Sequence, residues 1–142
     1  MFQVTANPDK NRLYVTLGGH LEPSERKEVA KAFMAAMKEL QPGFDIVHDM
    51  TGLRPTDTEG LKELVRVQAA AKIKGVRSVV RIVTIPLVRL QFERMAQETG
   101  WAFELAGTLE EADARLDELG PAVLEGEGGG APPCVRPDGD YS

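Results

Sequence analysis

The chain has 142 residues, of which 42% are hydrophobic and 27% charged, and this composition is typical of one globular domain. No stretch approaches the roughly 20 apolar residues that cross a bilayer, and no basic region followed by an apolar run begins the chain. The single cysteine, Cys134, excludes a disulfide framework. We therefore expect a cytoplasmic protein that does not bind a membrane.

The first part of the chain predicts a β-hairpin, a helix and a strand. Polar and apolar residues alternate over 12–17, after a first strand that begins at Val4, and residues 7–9 favour a turn between them. Pro23 then opens a helix, since its missing N–H is not needed in the first turn. The inward face of this helix carries Val29, Phe33, Met37 and Leu40. A strand is predicted next, over 44–50.

The following part alternates helices and strands. Thr56 and Glu59 form a capping-box pattern, which predicts that the second helix begins at Thr56. The elements after it are a strand over 77–85, a helix from Pro86 to Gly100, a short strand over 101–105 and a helix that begins with a second capping box at Thr108. We expect the third helix to bury Val88, Phe92 and Met95, and the last helix to bury Leu109, Ala112, Leu116 and Leu119.

A hairpin followed by strand–helix repeats indicates an α/β domain. The sheet is predicted to be mixed and mostly parallel, with about four helices against it. Residues 1–120 form this domain. Residues 121–142 contain four glycines between 126 and 130 and little to bury, so a flexible Gly/Pro-rich tail is expected.

The charges are unevenly distributed along the chain. Residues 60–94 carry 8 basic and 2 acidic groups, net +6, whereas residues 95–142 carry 2 basic and 11 acidic groups, net −9. Such an asymmetry steers charged partners, but exposed helix faces carry such charges as well. A nucleic-acid partner is not expected, because the domain is acidic and has few aromatic residues.

A motif lies where the third strand ends and the second helix begins. Asp49, Thr51 and Gly52 are followed there by Asp57, Gly60 and Leu61. This pattern resembles the STAS family, in which Asp, an apolar residue, Ser and Gly precede Asp-Ser-Ser-Gly-Leu. The order of elements matches as well, so the resemblance covers roughly residues 1–119. It implies a STAS-like fold and a regulatory role like that of anti-sigma-factor antagonists.

The resemblance also implies a phosphorylation switch, which this sequence alters. In anti-sigma-factor antagonists the second serine of the pair is phosphorylated, and Glu59 occupies its position here, preceded by Thr58. A carboxylate is not a substrate for this modification, so the switch is in doubt. Glu59 either supplies a fixed charge or serves only in the capping box. Thr58 as a displaced phosphosite is disfavoured, because Asp57 and Glu59 would repel a phosphate.

The leading hypothesis is a module that binds a protein partner, such as an anti-sigma factor or a kinase-like regulator, through residues 51–64. The candidate partner-binding residues are Asp49, Thr51, Gly52, Thr56, Asp57, Thr58, Glu59 and Gly60. Association of two copies is compatible with this hypothesis.

The competing hypothesis is a carrier of an apolar or anionic small molecule. Its pocket would lie between sheet and helices, lined by Phe33, Met34, Met37, Phe92 or Met95, although these residues are also ordinary core residues. An enzyme is not expected, because His48 beside Asp49 lacks a nucleophile. The spacing of Cys, His and Asp indicates no metal site, and no cofactor motif is present.

Overall fold

Five strands form one sheet in the order in which they occur along the chain. They are β1 (Phe2–Asn7), β2 (Arg12–Gly19), β3 (Asp45–Leu53), β4 (Ser78–Ile82) and β5 (Glu104–Leu105). β1 and β2 pair antiparallel as a hairpin, and every later neighbour pairs in parallel. The computed structural model describes residues 1–120. The mixed, mostly parallel sheet predicted from the sequence is confirmed.

Four helices cover the two faces of this sheet: α1 (Pro23–Met37), α2 (Thr58–Lys74), α3 (Pro86–Thr99) and α4 (Leu109–Leu119). Successive parallel neighbours with right-handed crossovers place α1, α2 and α3 on one face. The larger core cluster accordingly joins apolar residues of these three helices to the sheet. A smaller cluster lies on the other face, where Ala112 and Leu116 of α4 pack against Val47 and Val80.

The alternation of side chains along β3 and β4 decides which residues face α1 to α3. Ile46 and Met50 belong to the larger core, whereas Val47 belongs to the smaller one. Because residues two apart share a face of a strand, His48 lies on the side of the larger core. Arg81 is paired with His48 in the parallel register of β3 and β4, so its side chain lies on the same face.

Ion pairs attach α4 to the sheet. The buried guanidinium of Arg12 lies 2.8 Å from the carboxylate of Asp113 and 3.0 Å from that of Asp117. The hydroxyl of Tyr14 donates to Asp113 at 2.7 Å. These contacts link β2 to a helix about one hundred residues away in sequence, so they fix the position of α4 across the far face of the sheet.

Several predicted boundaries are wrong by a few residues. β1 begins at Phe2, β3 extends to Leu53, β4 covers only Ser78–Ile82, and β5 has two residues. Extension of β3 follows from its pairing with Gly18 and Gly19, the last residues of β2. The predicted tail lies outside the described residues.

Helix faces were predicted more accurately. α3 buries Val88, Phe92 and Met95 as expected. In α4, Ala112 and Leu116 are buried, but the prediction is wrong for Leu109 and Leu119, which are exposed. These two residues are the first and the last of a short helix. None of the four helices within residues 1–120 is long and apolar enough to cross a bilayer.

Candidate functional site

The carboxyl end of β3 is tied to the loop that follows β4. Asp49 Oδ1 accepts hydrogen bonds from the backbone N–H of Thr51 at 3.1 Å and from its hydroxyl at 2.7 Å. The hydroxyl of Thr84 donates to the carbonyl of Thr51 at 2.8 Å. Three hydrogen bonds therefore hold Thr51 in place although it is exposed.

The next part of the loop is tied to α3. The backbone N–H of Thr56 donates to Gln91 Oε1 at 3.2 Å, and Gln91 Nε2 donates to the carbonyl of Thr56 at 2.9 Å. One side-chain amide thus satisfies both backbone groups of Thr56. The loop before α2 and the second turn of α3 are thereby fixed relative to each other.

The start of α2 differs from the predicted capping box. Asp57 is the N-cap, and its carboxylate accepts from the backbone N–H of Gly60 at 2.8 Å. The prediction that Thr56 and Glu59 form the box is therefore wrong, because the N-cap is Asp57, one residue later than Thr56. Glu59 instead has a side chain that is 72% exposed, with the ammonium of Lys62 at 3.6 Å. Its carboxylate is free of any role in the cap.

Gly60 is required by the close approach of Thr56. A Cβ at position 60 would overlap the hydroxyl of Thr56 and come within 3.3 Å of Asp57 Oδ1. Gly60 is also buried, so it shapes the first turn of α2 from within. The missing side chain of Gly60 thus leaves room for Thr56 and Asp57 to pack against the first turn of α2.

The eight candidate residues come together at one end of the domain. Five of them are exposed, two are half-buried and Gly60 is buried; the exposed ones are Thr51, Gly52, Asp57, Thr58 and Glu59, and the half-buried ones are Asp49 and Thr56. Asp57 is linked to α1 as well, because Arg26 lies 3.7 Å from it and 2.8 Å from Glu63. The eight candidate residues therefore form a mostly polar surface that hydrogen bonds and ion pairs hold in place.

Two exposed leucines that sequence reasoning missed lie on α3, the helix whose Gln91 holds Thr56. Leu87 is 53% exposed and Leu90 is 48% exposed. Leu87 precedes Gln91 by one helical turn, so it lies on the side of α3 that contacts Thr56. The sequence gives only a partial signal: neither leucine falls on the buried stripe of α3.

The basic stretch over 60–94 does not form one continuous basic surface. Arg77 binds Asp45 with two hydrogen bonds, at 3.0 and 2.7 Å. Arg81 is buried within the sheet face that α1 to α3 cover. The positive charges that stay exposed include Lys62 and Arg66 on α2.

Two polar residues are buried beneath α2 and α3. His48 is 5% exposed and Arg81 is 3% exposed. Burial, and to a lesser extent the charge of Arg81, hold the pKa of His48 well below its usual value of 6.5. Burial also lowers the pKa of Arg81 to about 9. His48 is neutral at pH 7, and its buried Nε2 has no hydrogen-bond partner within residues 1–120.

Four of the residues named for a carrier pocket are core residues. Phe33, Met37, Phe92 and Met95 are all buried in the larger core cluster. Met34 is exposed on α1 and does not line the interior. Residues 1–120 also hold no group of three or more His, Cys, Asp or Glu side chains suited to a metal ion.

Several solved structures are similar to this chain, and two of them are regulatory proteins by name. The Bacillus cell-fate determinant SpoIIAA in its phosphorylated form aligns with a TM-score of 0.61 and 18% identity, over 82% of this chain and 99% of that one. An anti-sigma factor antagonist from Mycobacterium paratuberculosis aligns with a TM-score of 0.57 and 19% identity, over 82% of this chain and 95% of that one. No protein-family model and no curated protein matches the sequence. The chain has the STAS-like fold that the motif implied.

Proposed function

We propose that this chain is a regulatory protein-interaction module, which binds its partner through the polar surface at 51–60 and the adjoining Leu87 and Leu90. The observation that carries the proposal is the preformed shape of this surface. Hydrogen bonds that Asp49 accepts and that Thr84 and Gln91 donate fix a loop whose outward side chains are free to contact a partner. Little conformational entropy is lost on binding when a loop is already ordered.

The composition of the surface supports a protein partner. Exposed leucines beside charged residues give an apolar centre with a polar rim, the arrangement typical of protein interfaces. Asp57 at the N-cap and Glu59 in the first turn place two carboxylates at the start of α2. The complementary partner surface would offer an apolar contact for Leu87 and a basic side chain for Glu59. The two similar structures named above belong to regulatory proteins by name, a cell-fate determinant and an anti-sigma factor antagonist.

Under this proposal, Glu59 gives the surface a permanent negative charge. A phosphate at the helix start would add roughly 1.5–2 negative charges on demand, whereas a carboxylate supplies one charge at all times. Partner binding by this chain is therefore constitutive with respect to a kinase acting at position 59. Thr58 is exposed, but an added phosphate there would lie between Asp57 and Glu59. Repulsion between like charges disfavours it.

Affinity capture with matched surface variants tests the proposal. Wild-type protein and the variants Leu87→Glu and Ile73→Glu are immobilised and exposed to cytoplasmic extract. Ile73 is 88% exposed near the far end of α2, about 21 Å from Glu59 along the helix, so it serves as the control. We expect one protein to be retained by wild type and by Ile73→Glu but not by Leu87→Glu. Equal retention by all three would overturn the proposed surface.

A further inference from the structure

Arg81 is a buried charge without an acidic partner. Its side chain is 3% exposed, none of the ion pairs within residues 1–120 includes it, and its Nε–H has no hydrogen-bond partner there. Buried arginines are ordinarily paired, because removing a guanidinium from water is costly. The chain retains this charge in the middle of β4, where an apolar residue would pack at less cost.

The side chains around Arg81 leave its Nε–H without an acceptor within residues 1–120. The guanidinium carbon lies 4.8 Å from the centre of the Phe92 ring and 4.5 Å from that of Phe103. These contacts use the faces of the rings and satisfy no N–H donor. The Nε–H of Arg81 is fully buried, and no group in the described part of the chain accepts a hydrogen bond from it. Cation–π contacts therefore offset only part of the cost of burial.

Other unpaired polar groups lie on the same face of the sheet. His48 is the register partner of Arg81, its ring meets Phe92 edge-on at 6.3 Å, and its Nε2 is buried without a hydrogen bond. Gln68 of α2, the helix that crosses this face, has a side-chain nitrogen in the same condition. Native proteins leave few such groups unsatisfied, so their presence on one face points to a missing partner.

We propose that Arg81 and His48 form an internal binding site for a small carboxylate. The planar guanidinium offers parallel N–H donors that match the two oxygens of a carboxylate, and His48 adds a neutral polar edge beside it. The rings of Phe92 and Phe103 would contact the carbon end of the ligand. At pH 7 a pKa of about 9 keeps Arg81 positively charged, so one negative charge compensates it.

The edge of the sheet offers a route to this site. β5 has only two residues, and Phe103 and Leu105 beside Arg81 are half-buried. Local opening of such a short edge strand would admit a ligand of a few atoms. The site lies beneath α2 and α3, and none of its residues belongs to the proposed partner-binding surface at 51–60. This inference is therefore independent of the proposed function.

Nuclear magnetic resonance of the arginine Nε–H groups tests the site directly in the wild-type protein. Sodium formate is titrated at pH 7 against sodium chloride at equal ionic strength, with acetate and inorganic phosphate as further arms. We expect the Arg81 Nε–H signal to shift saturably with formate, with a dissociation constant on the order of 1 mM, the limit that three heavy atoms support. A stronger response to phosphate than to formate and acetate would overturn the carboxylate assignment.

Thermal unfolding with matched variants provides the second measurement. Formate should raise the melting temperature of wild type. It should raise that of Arg66→Met equally, because Arg66 is exposed on α2 and lies outside the site. The melting temperature of Arg81→Met should not change with formate. An equal rise in all three proteins would show a general salt effect and contradict the site. If Arg81→Met does not fold, the titration of wild type decides. A shift shared by all arginine signals, or none, would then overturn the proposal.

Discussion

The carboxylate of Asp57 accepts a hydrogen bond from the backbone N–H of Gly60 at 2.8 Å, and this contact begins α2. Removing it by Asp57→Ala leaves a helix N–H without its partner, so the free energy of unfolding should fall by about 1 kcal/mol. Urea denaturation measures this change. The weak ion pair with Arg26 at 3.7 Å adds little to the expected value.

Glu59→Ala is the matched control for that substitution. Glu59 lies two residues further along, also exposed, but it makes no capping contact. The free energy of unfolding should therefore change by less than about 0.5 kcal/mol. If Glu59→Ala proves as costly as Asp57→Ala, the helix begins at Thr56 in solution and the capping geometry described above is wrong.

Phe92 joins the larger core to the buried polar residues. Phe92→Ala should lower the free energy of unfolding by about 3–5 kcal/mol, since a fully buried ring is replaced by a methyl group. Leu90→Ala, on the half-exposed side of the same helix, should cost much less. Chemical denaturation of the two variants compares them, and similar losses would mean that α3 presents a different face to the sheet.

Arg81→Met should stabilise the domain. Methionine fills a similar volume and contacts the rings of Phe92 and Phe103 without a buried charge, so we expect the free energy of unfolding to rise by about 1–3 kcal/mol. The measurement is urea denaturation at pH 7 in a buffer free of carboxylates. A marked loss of stability would contradict the view that the charge of Arg81 is uncompensated.

His48 makes stability depend on pH. Burial and the neighbouring Arg81 lower the pKa of His48 in the folded state, whereas the unfolded chain keeps a value of about 6.5. Below pH 6.5 the unfolded state binds a proton that the folded state does not. The contribution of His48 is therefore complete above pH 6.5 and falls, by at most about 1.4 kcal/mol per pH unit, as the pH decreases.

His48→Gln isolates this effect from other titrating groups. Its free energy of unfolding should change less than that of wild type between pH 6.5 and 5, measured by urea denaturation at each pH. His20→Gln is the control, because His20 is exposed. A wild-type slope retained in His48→Gln would show that carboxylates elsewhere cause the pH dependence.

The sequence was sufficient to predict the order of the elements and the motif. Apolar residues alternate with polar ones over 12–17, and Val88, Phe92 and Met95 form an apolar stripe on α3. Both patterns predict which side chains the fold buries, and the structure buries them. The helix start was misplaced by one residue because Thr56 and Asp57 are both good N-caps. Tertiary contact decided between them, since Gln91 of α3 binds the backbone of Thr56.

The polar interior was harder to predict. Val79, Val80, Ile82 and Val83 surround Arg81 in sequence, so both faces of β4 are apolar there. This pattern is a signal that Arg81 is buried, but only register shows that His48 lies beside it. The exposed leucines of α3 were missed for a related reason. Whether an apolar residue outside the buried stripe contacts solvent or another element depends on packing between helices.

Titration calorimetry of the captured partner is the most direct test of the proposed docking surface. Glu59→Ser removes one charge without disturbing the cap, so stability should stay unchanged while partner affinity changes tenfold or more. Leu87→Glu should weaken binding at least as much, and Ile73→Glu should bind like wild type. Unchanged affinity in both Glu59→Ser and Leu87→Glu would contradict the account, because the STAS-like fold would then bind its partner elsewhere.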